Sequence, residues 1–193
     1  QTRVEAVKGY YERFLKKLPG IEDLANAQED MLLKLWEGLG YYNRVRNLQK
    51  AAVCIMQEYD GQMPGDYQKI LQLPGIGSYT AGAISSIAFG LPYPAVDGNV
   101  LRVLARLKKD TRDIANATVK AQIEAELKDV MPLDRPGDFN QAMMEIGATV
   151  CLPNGAPKCM ECPLNLLCKA YADGSMMKCA EEYGVQAAII PQK

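Results

Sequence analysis

The chain of 193 residues contains no histidine. Histidine is the usual general base of Ser-His-Asp and Cys-His catalysis and the commonest metal ligand, so such triads and every histidine-ligated metal site are excluded. No run of 18 apolar residues is present, so we expect no transmembrane helix. The first twenty residues are amphipathic and charged, unlike a signal peptide. The net charge is only -1, so a nucleic-acid partner would need locally placed positive charge.

Strand patterns are also lacking, because no segment alternates apolar and polar residues for long enough. Apolar residues recur at helical spacing nearly everywhere, for example over residues 45–59 and 139–150. Small residues fill positions 79–89, which predicts a helix that packs closely against a neighbour. The sequence predicts an all-α protein of about nine or ten helices. Residues 175–193 lose the periodicity and are predicted to be a linker or tail.

Four of the six cysteines lie within eighteen residues, with seven, two and five residues between them: Cys151, Cys159, Cys162 and Cys168. Structural zinc usually takes two C-x2-C pairs, and only one such pair is present here. The uneven spacing favours an iron–sulfur cluster, and zinc remains the alternative. Cys54 and Cys179 stand alone, and Cys54 is predicted to be a buried apolar side chain.

A glycine-rich turn occupies residues 73–81, which read Leu-Pro-Gly-Ile-Gly-Ser-Tyr-Thr-Ala. Gly75 and Gly77 permit a tight turn just before a helix, where free backbone amides can bind a phosphate. A G-x-G pair alone is weak evidence, and a simple helix–turn–helix corner is the alternative. The flanking residues strengthen the phosphate-binding interpretation.

An acidic residue, Asp97, directly precedes a predicted helix within the sequence Val-Asp-Gly-Asn-Val of residues 96–100. Its structural interpretation is a helix N-cap. Its functional interpretation is a carboxylate held at a cleft, where it faces a developing cation.

Aromatic residues alternate with glycines over residues 36–46, which begin at Trp36 and end with two arginines. This pattern suits a loop that contacts bases and backbone together. A helix–helix turn with a core tryptophan and solvated arginines explains it equally well.

A carboxamide follows in residues 138–141, Asp-Phe-Asn-Gln. Asp138 as N-cap with Gln141 three positions later resembles a capping box. The Gln141 side chain could instead pair with the N6 and N7 edge of adenine.

Together, the hairpin at 73–77, the segment 96–100 and the four cysteines resemble the helix–hairpin–helix DNA glycosylases that carry an iron–sulfur cluster. Order and spacing match over nearly residues 1–172. Residues 36–42, residues 139–141 and the opening Gln1-Thr2 are similar to the adenine DNA glycosylases, the MutY family. One departure is the seven residues between the first two cysteines, where the family usually has six.

The resemblance implies a DNA-repair hydrolase that flips adenine out of a pair with 8-oxoguanine or guanine and cleaves its N-glycosidic bond. Asp97 matches the catalytic aspartate, and Asn99 would orient it or the sugar. Tyr79 stands where endonuclease III relatives have a nucleophilic lysine, so a strong lyase step is not expected. The implied DNA contacts are made by Gln1, Thr2, Arg3, Gly40, Tyr41, Gly75, Gly77 and Gln141.

The architecture implied by the resemblance has two lobes with DNA across the cleft between them. Residues 19–91 would form a six-helix barrel lobe containing the hairpin, and residues 1–18 and 92–174 a cluster lobe. A [4Fe–4S] cluster held by Cys151, Cys159, Cys162 and Cys168 is the implied cofactor. We expect a monomer that binds double-stranded DNA, does not bind membranes, and resides in a bacterial cytoplasm near the nucleoid.

The resemblance also implies parts that these 193 residues do not contain. The family's general acid, a glutamate, lies five residues upstream of the position matching Gln1, and a lesion-recognition domain follows the linker. The chain is therefore expected to be a catalytic-domain fragment with weak or no activity by itself. Two alternatives remain: an endonuclease III-like glycosylase with lyase activity, and a non-catalytic DNA-binding iron–sulfur module.

Overall fold

The computed structural model describes residues 4–176, and every regular element in this part of the chain is a helix. The α-helices are α1 (Val4–Lys17), α2 (Ile21–Ala25), α3 (Glu29–Trp36), α4 (Asn43–Glu58), α5 (Tyr67–Leu71), α6 (Ser78–Phe89), α7 (Gly98–Lys108), α8 (Ala117–Lys128), α9 (Pro136–Glu145) and α10 (Lys169–Ala172). A π-helix covers Ile146–Val150, and two 3-10 helices cover Cys159–Glu161 and Asn165–Leu167. The all-α prediction is confirmed.

Within the described range, no helix is both long and apolar enough to cross a bilayer. The chain divides into two compact units, of which the first ends at Gly77 and the second begins at Ser78. The lobe boundaries implied by the resemblance stay a prediction. Gln1, Thr2, Arg3, Cys179 and most of the predicted linker lie outside the described residues.

The first unit packs around the helices that the apolar spacing predicts. Leu18, Leu32 and Val45 are buried together, and Phe14 and Trp36 pack against them. The two aromatic rings contact each other edge to face, with their centroids 6.2 Å apart. Such aromatic pairs add to the free energy gained by burial alone. A second small core, at Ala51, Ile55 and Leu73, lies under α4 and the start of the hairpin.

The second unit is built around α7, in which every residue from Val100 to Arg106 is buried. The small residues of α6 allow close packing, as predicted. A β-carbon at Gly82 would clash with the carbonyl oxygen of Pro94, and one at Gly137 would lie 2.9 Å from that of Ser86. Glycine at these two positions therefore lets the segment before Asp97, and also α9, approach the α6 backbone.

The helical pattern predicted over residues 139–150 is not one regular helix. α9 ends at Glu145, and the next five residues form the π-helix. A β-carbon at Gly147 would lie 2.6 Å from Cβ of Asn99, so glycine is needed where this helix contacts α7. Single-turn π-helices commonly occur at functional sites.

Candidate active site and cysteine cluster

The carboxylate of Asp97 is held on both oxygens. The backbone N–H of Val100 donates to Oδ1 at 2.9 Å, and the side-chain amide of Asn99 donates to Oδ2 at 2.9 Å. Asp97 is thus the N-cap of α7, as the structural interpretation predicts. The cap also fixes the orientation of the carboxylate, so capping and a functional role are compatible.

Tyr79, on the second residue of α6, lies close enough to Asp97 to be affected by its charge. Burial raises the pKa of the Tyr79 phenol, and the Asp97 carboxylate raises it further. The hydroxyl of Tyr79 donates to Sδ of Met144 at 3.5 Å, and 38% of the residue remains exposed. The second unit therefore presents a neutral phenol beside a fixed carboxylate.

Asn99 is itself oriented by Arg102, which is 4% exposed. Nη2 of Arg102 donates to Oδ1 of Asn99 at 2.9 Å and to the carbonyl oxygen of Gly147 at 2.7 Å. Its Nε donates to the carbonyl oxygen of Cys151 at 2.9 Å. A continuous series of hydrogen bonds thus connects Asp97 with the backbone of the first cysteine.

The four predicted ligand cysteines line a single cavity in the second unit. The space within it that atoms do not fill, counted to its open mouth, is about 420 Å³. Within residues 4–176, no three histidine, cysteine, aspartate or glutamate side chains stand close enough to hold one metal ion. A single zinc would draw its sulfurs to within about 2.3 Å of itself. In a cluster the thiolates bind separate irons, so a wider arrangement of sulfurs suits it better.

Arg106 provides a further test of whether this cavity fits an iron–sulfur cluster. The residue is 2% exposed, and its Nη1 donates to Sγ of Cys151 at 3.2 Å and to the carbonyl oxygen of Leu152 at 2.9 Å. Its Nε and Nη2 are buried without a hydrogen-bond partner among the described residues. Unpaired buried charge is unfavourable. An anionic group with sulfur acceptors would satisfy it, so the residues present fit the cluster.

Two thiols of this cavity, those of Cys159 and Cys168, are poorly suited to ionise in the absence of a cation, because their pKa values are raised. Burial raises the pKa of Cys159, and the neighbouring cysteines Cys151, Cys168 and Cys162 raise it further. Burial also raises the pKa of Cys168. A bound metal would favour the thiolate form and displace the thiol protons, because metals bind thiolates and not thiols.

The glycine-rich hairpin forms the predicted tight turn. Gly75 has φ +76°, and a β-carbon there would lie 2.6 Å from Cβ of Asn47. A β-carbon at Gly77 would meet nothing within 4 Å, so the backbone there is open to approach. The Ile76 N–H donates to the carbonyl oxygen of Leu73 at 3.1 Å and closes the turn.

The aromatic segment at residues 36–42 forms a strained surface loop in the first unit. Gly38, Gly40 and Tyr41 all have positive φ, and the Trp36 indole N–H donates to the carbonyl oxygen of Gly40 at 2.9 Å. Trp36 packs on the core, as the structural alternative predicts. Tyr41 is 68% exposed, so its ring is available to a partner.

The capping-box interpretation of residues 138–141 is wrong. α9 begins at Pro136 with Arg135 as its N-cap, so Asp138 already lies inside the first turn, where it accepts from Nε of Arg135 at 2.6 Å. Proline is favoured at the first position of a helix, so α9 begins at Pro136, two residues before the predicted cap. Gln141 is exposed and donates to the carbonyl oxygen of Gly137 at 3.3 Å.

Three buried polar residues were missed by the sequence reasoning: Arg102, Arg106 and Asn140. The two arginines are four positions apart within an otherwise apolar helix, and this spacing could have predicted a polar contact on the buried face. Asn140 belongs to the segment 139–141 that carries the family resemblance, but neither interpretation of that segment predicted a buried amide.

The fold is that of a helical base-excision-repair protein. The HhH-GPD superfamily of base excision DNA repair proteins matches residues 1–132, and the chain belongs to that superfamily. It is 46% identical over 172 residues to the adenine DNA glycosylase of Mus musculus, which covers 89% of this chain and 33% of that protein. It is 40% identical over 178 residues to the adenine DNA glycosylase of Buchnera aphidicola subsp. Baizongia pistaciae, covering 92% of this chain and 50% of that one.

Solved structures agree with this assignment. A thermostable thymine-DNA glycosylase superposes with a TM-score of 0.78 at 31% identity, over 86% of this chain and 76% of that one. Endonuclease III in a non-covalent DNA complex superposes with a TM-score of 0.74 at 28% identity, over 88% and 78%. The predicted resemblance to adenine DNA glycosylases is confirmed. The chain spans about a third of the length of the mouse adenine DNA glycosylase and half that of the Buchnera enzyme.

Proposed function

We propose that this chain is the catalytic part of an adenine DNA glycosylase, which removes adenine mispaired with 8-oxoguanine or guanine. The observation that carries the proposal is the Asp97 carboxylate, held by two hydrogen-bond donors beside a neutral phenol. The adenine DNA glycosylases among its relatives support the substrate. The activity belongs to a longer protein, because the chain spans only part of those relatives.

In the proposed reaction, adenine is flipped out of the duplex and the bond between C1′ and N9 breaks. The bonding electrons leave with the base, and positive charge develops on the sugar. The fixed Asp97 carboxylate stabilises that charge, as a glycosidase carboxylate does. Water then adds to C1′ and loses a proton. The resemblance assigns protonation of adenine to a glutamate upstream of Gln1.

Tyr79 limits the reaction to hydrolysis. A Schiff base with the sugar requires an amine, and a phenol cannot form one. Because burial and Asp97 raise its pKa above 10, Tyr79 stays neutral at physiological pH and can donate a hydrogen bond near the reacting sugar. An endonuclease III-like lyase is therefore disfavoured.

DNA is bound, in this proposal, by residues from separate segments of the chain. The tight turn at Gly75 and the open backbone at Gly77 receive a phosphate, and Gly40 with the exposed Tyr41 contacts the strand opposite adenine. Gln141 reads the adenine edge from the exposed face of α9. The same roles are proposed for Gln1, Thr2 and Arg3, which lie outside the described residues.

A [4Fe–4S] cluster is proposed as the cofactor, held by Cys151, Cys159, Cys162 and Cys168. When bound, it would link Cys159, Cys162 and Cys168 to Cys151, which follows the π-helix, and would give the buried Arg106 guanidinium acceptor atoms. We further propose that the protein acts as a monomer on double-stranded DNA in the bacterial cytoplasm.

The decisive experiment measures adenine excision from a duplex that carries adenine opposite 8-oxoguanine, with enzyme in excess. The protein tested is this chain joined at Gln1 to the preceding segment of the Mus musculus relative, and its Asp97→Asn variant. We expect excision by the joined protein and its loss in the variant. The 193-residue chain alone should be slower by about 10²–10⁴-fold, the usual contribution of a general acid.

The matched control is Asp66→Asn, because Asp66 caps α5 by accepting from the Lys69 N–H at 3.0 Å. That variant loses a capping charge from a helix of the first unit and should excise adenine normally. Equal loss in both variants, or no excision by a joined protein that binds the duplex, would overturn the proposal. A covalent adduct trapped with borohydride would instead favour the lyase.

A further inference from the structure

The buried side-chain amide of Asn140, in the middle of α9, forms hydrogen bonds with the irregular segment of residues 93–95. Asn140 is 1% exposed and uses both ends of its carboxamide. Its Oδ1 accepts from the Ala95 N–H at 3.0 Å, and its Nδ2 donates to the Tyr93 carbonyl oxygen at 2.9 Å. The same Nδ2 donates to Oγ of Ser86 at 2.8 Å. One side chain thus satisfies two backbone groups of a segment that has no secondary structure of its own.

That segment leads directly to Asp97. Ala95 and Val96 are fully buried, and Pro94 lies against α6 where Gly82 has no side chain. Only Val96 separates Ala95 from Asp97, a span of at most about 7 Å of extended chain. The backbone position of Asp97 is therefore set on one side by the α7 cap and on the other by Asn140.

An apolar residue would be the simpler choice at this depth in the core. Burying a carboxamide is unfavourable unless its hydrogen bonds are made, and here they are made with the Ala95 N–H and the Tyr93 carbonyl oxygen, which an apolar side chain could not bond. Buried polar groups that are fully satisfied instead specify one arrangement of the chain. The bonds of Asn140 specify the arrangement of residues 93–95.

We propose that Asn140 is a positioning residue for the catalytic carboxylate: it fixes residues 93–95 so that Asp97 meets the sugar in the productive position. This inference rests on the proposed function. Neither oxygen of Asp97 contacts Asn140, so the effect is transmitted through three residues of backbone. A misplacement of about 1 Å at a reacting group commonly lowers the rate about 10²-fold.

The test uses Asn140→Leu in the joined protein, with Met143→Ala as the matched control. Met143 is a buried residue of the same helix and belongs to the apolar core of the second unit. Its truncation destabilises the protein and leaves the hydrogen bonds of Asn140 to Tyr93 and Ala95 in place. We expect Asn140→Leu to lower the single-turnover excision rate between about tenfold and a hundredfold at unchanged duplex affinity. Met143→Ala should retain the rate below its melting temperature.

A second measurement is independent of activity. The Val100 N–H donates to Oδ1 of Asp97, so its hydrogen exchange reports on the position of that carboxylate. Exchange at Val100 and Ala95, followed by NMR, should accelerate in Asn140→Leu and not in Met143→Ala. Faster exchange in a protein that excises no adenine would refute the proposed function and leave the positioning role intact.

Asn140→Asp keeps the inference testable if the leucine variant does not fold. It retains an acceptor for the Ala95 N–H, and the Ser86 hydroxyl can turn from the Ala83 carbonyl oxygen to donate to the new carboxylate. The bond to Tyr93 is lost, and the bond from Ser86 to Ala83 is exchanged for one to the carboxylate. We expect a smaller rate loss in the same direction. Unchanged rate and unchanged Val100 exchange in a folded Asn140 variant would overturn the proposal.

Discussion

Asn99 donates its side-chain amide to Asp97 at 2.9 Å while its own carbonyl oxygen accepts from Arg102 at 2.9 Å. The carboxylate at the start of α7 is therefore oriented by a residue that is itself held by a buried guanidinium. Arg102 also binds backbone carbonyls at Gly147 and Cys151. The geometry of Asp97 consequently depends on the segment that carries the first cysteine.

Replacing Asn99 by alanine should remove the donor to Oδ2 of Asp97 and free the carboxylate to rotate. We expect single-turnover adenine excision by the joined protein to fall about 10²-fold, the usual effect of a misplaced reacting group. Asn116→Ala is the control, because Asn116 caps α8 by accepting from the Thr118 N–H at 2.8 Å. That variant should lose about 1 kcal/mol of stability and no activity. Similar rates for the two variants would contradict the assignment.

Iron binding should depend on the four clustered cysteines and not on Cys54. Purified protein should be brown and contain iron, and Cys159→Ser should be colourless, because serine is a poor ligand for iron in such clusters. Cys54→Ser should retain its iron, since Cys54 packs beside the apolar core of the first unit. Metal analysis of the three proteins decides the question. Stoichiometric zinc without iron in the parent protein would refute the cluster.

Gln141→Ala should weaken discrimination for adenine without weakening the fold. The side chain is exposed and α9 begins at Pro136, so no cap is lost. We expect a loss of about 1–3 kcal/mol in selectivity for adenine over other bases, the usual contribution of a bidentate base contact. Asp138→Ala, which removes the exposed pair with Arg135, serves as the surface control. Unaltered selectivity in Gln141→Ala would exclude base reading.

Alkaline pH should destabilise the protein partly through Tyr79. Burial and the Asp97 carboxylate raise its folded-state pKa above the unfolded value of 10. The folded chain then binds this proton more tightly, so the contribution is fully present below about pH 10 and is lost as the pH rises through the folded pKa.

Melting temperatures of the parent and of Tyr79→Phe, measured from about pH 8 to 11, test this sign. The melting temperature of the phenylalanine variant should decline less steeply with pH, because this variant has no phenol to ionise at position 79. The decline for Asp97→Asn should be intermediate between those of the parent and Tyr79→Phe, because this variant removes one of the two causes that raise the pKa of Tyr79. Parallel curves for all three proteins would show that Tyr79 is not perturbed.

The sequence by itself determined the helical class, most helix positions, the hairpin turn and the family. These features depend on local preferences: apolar spacing in α1, α4 and α7, the proline and glycines of residues 74–77, and the cysteine spacing. Asp97 as a helix cap was equally local, because a cap bonds to an amide three residues away.

Only the tertiary structure decided how Asp97 is supported. Arg102 meets Cys151 across 49 positions of sequence, and Asn140 meets Ala95 across 45. Such pairs have no local pattern, since each depends on how separate helices pack. The same reason explains why α9 and the π-helix that follows it differ from the single helix predicted over residues 139–150. A proline moved the start of α9, and the close approach of Gly147 to Asn99 is made in a π-helix, so neither could be predicted from periodicity alone.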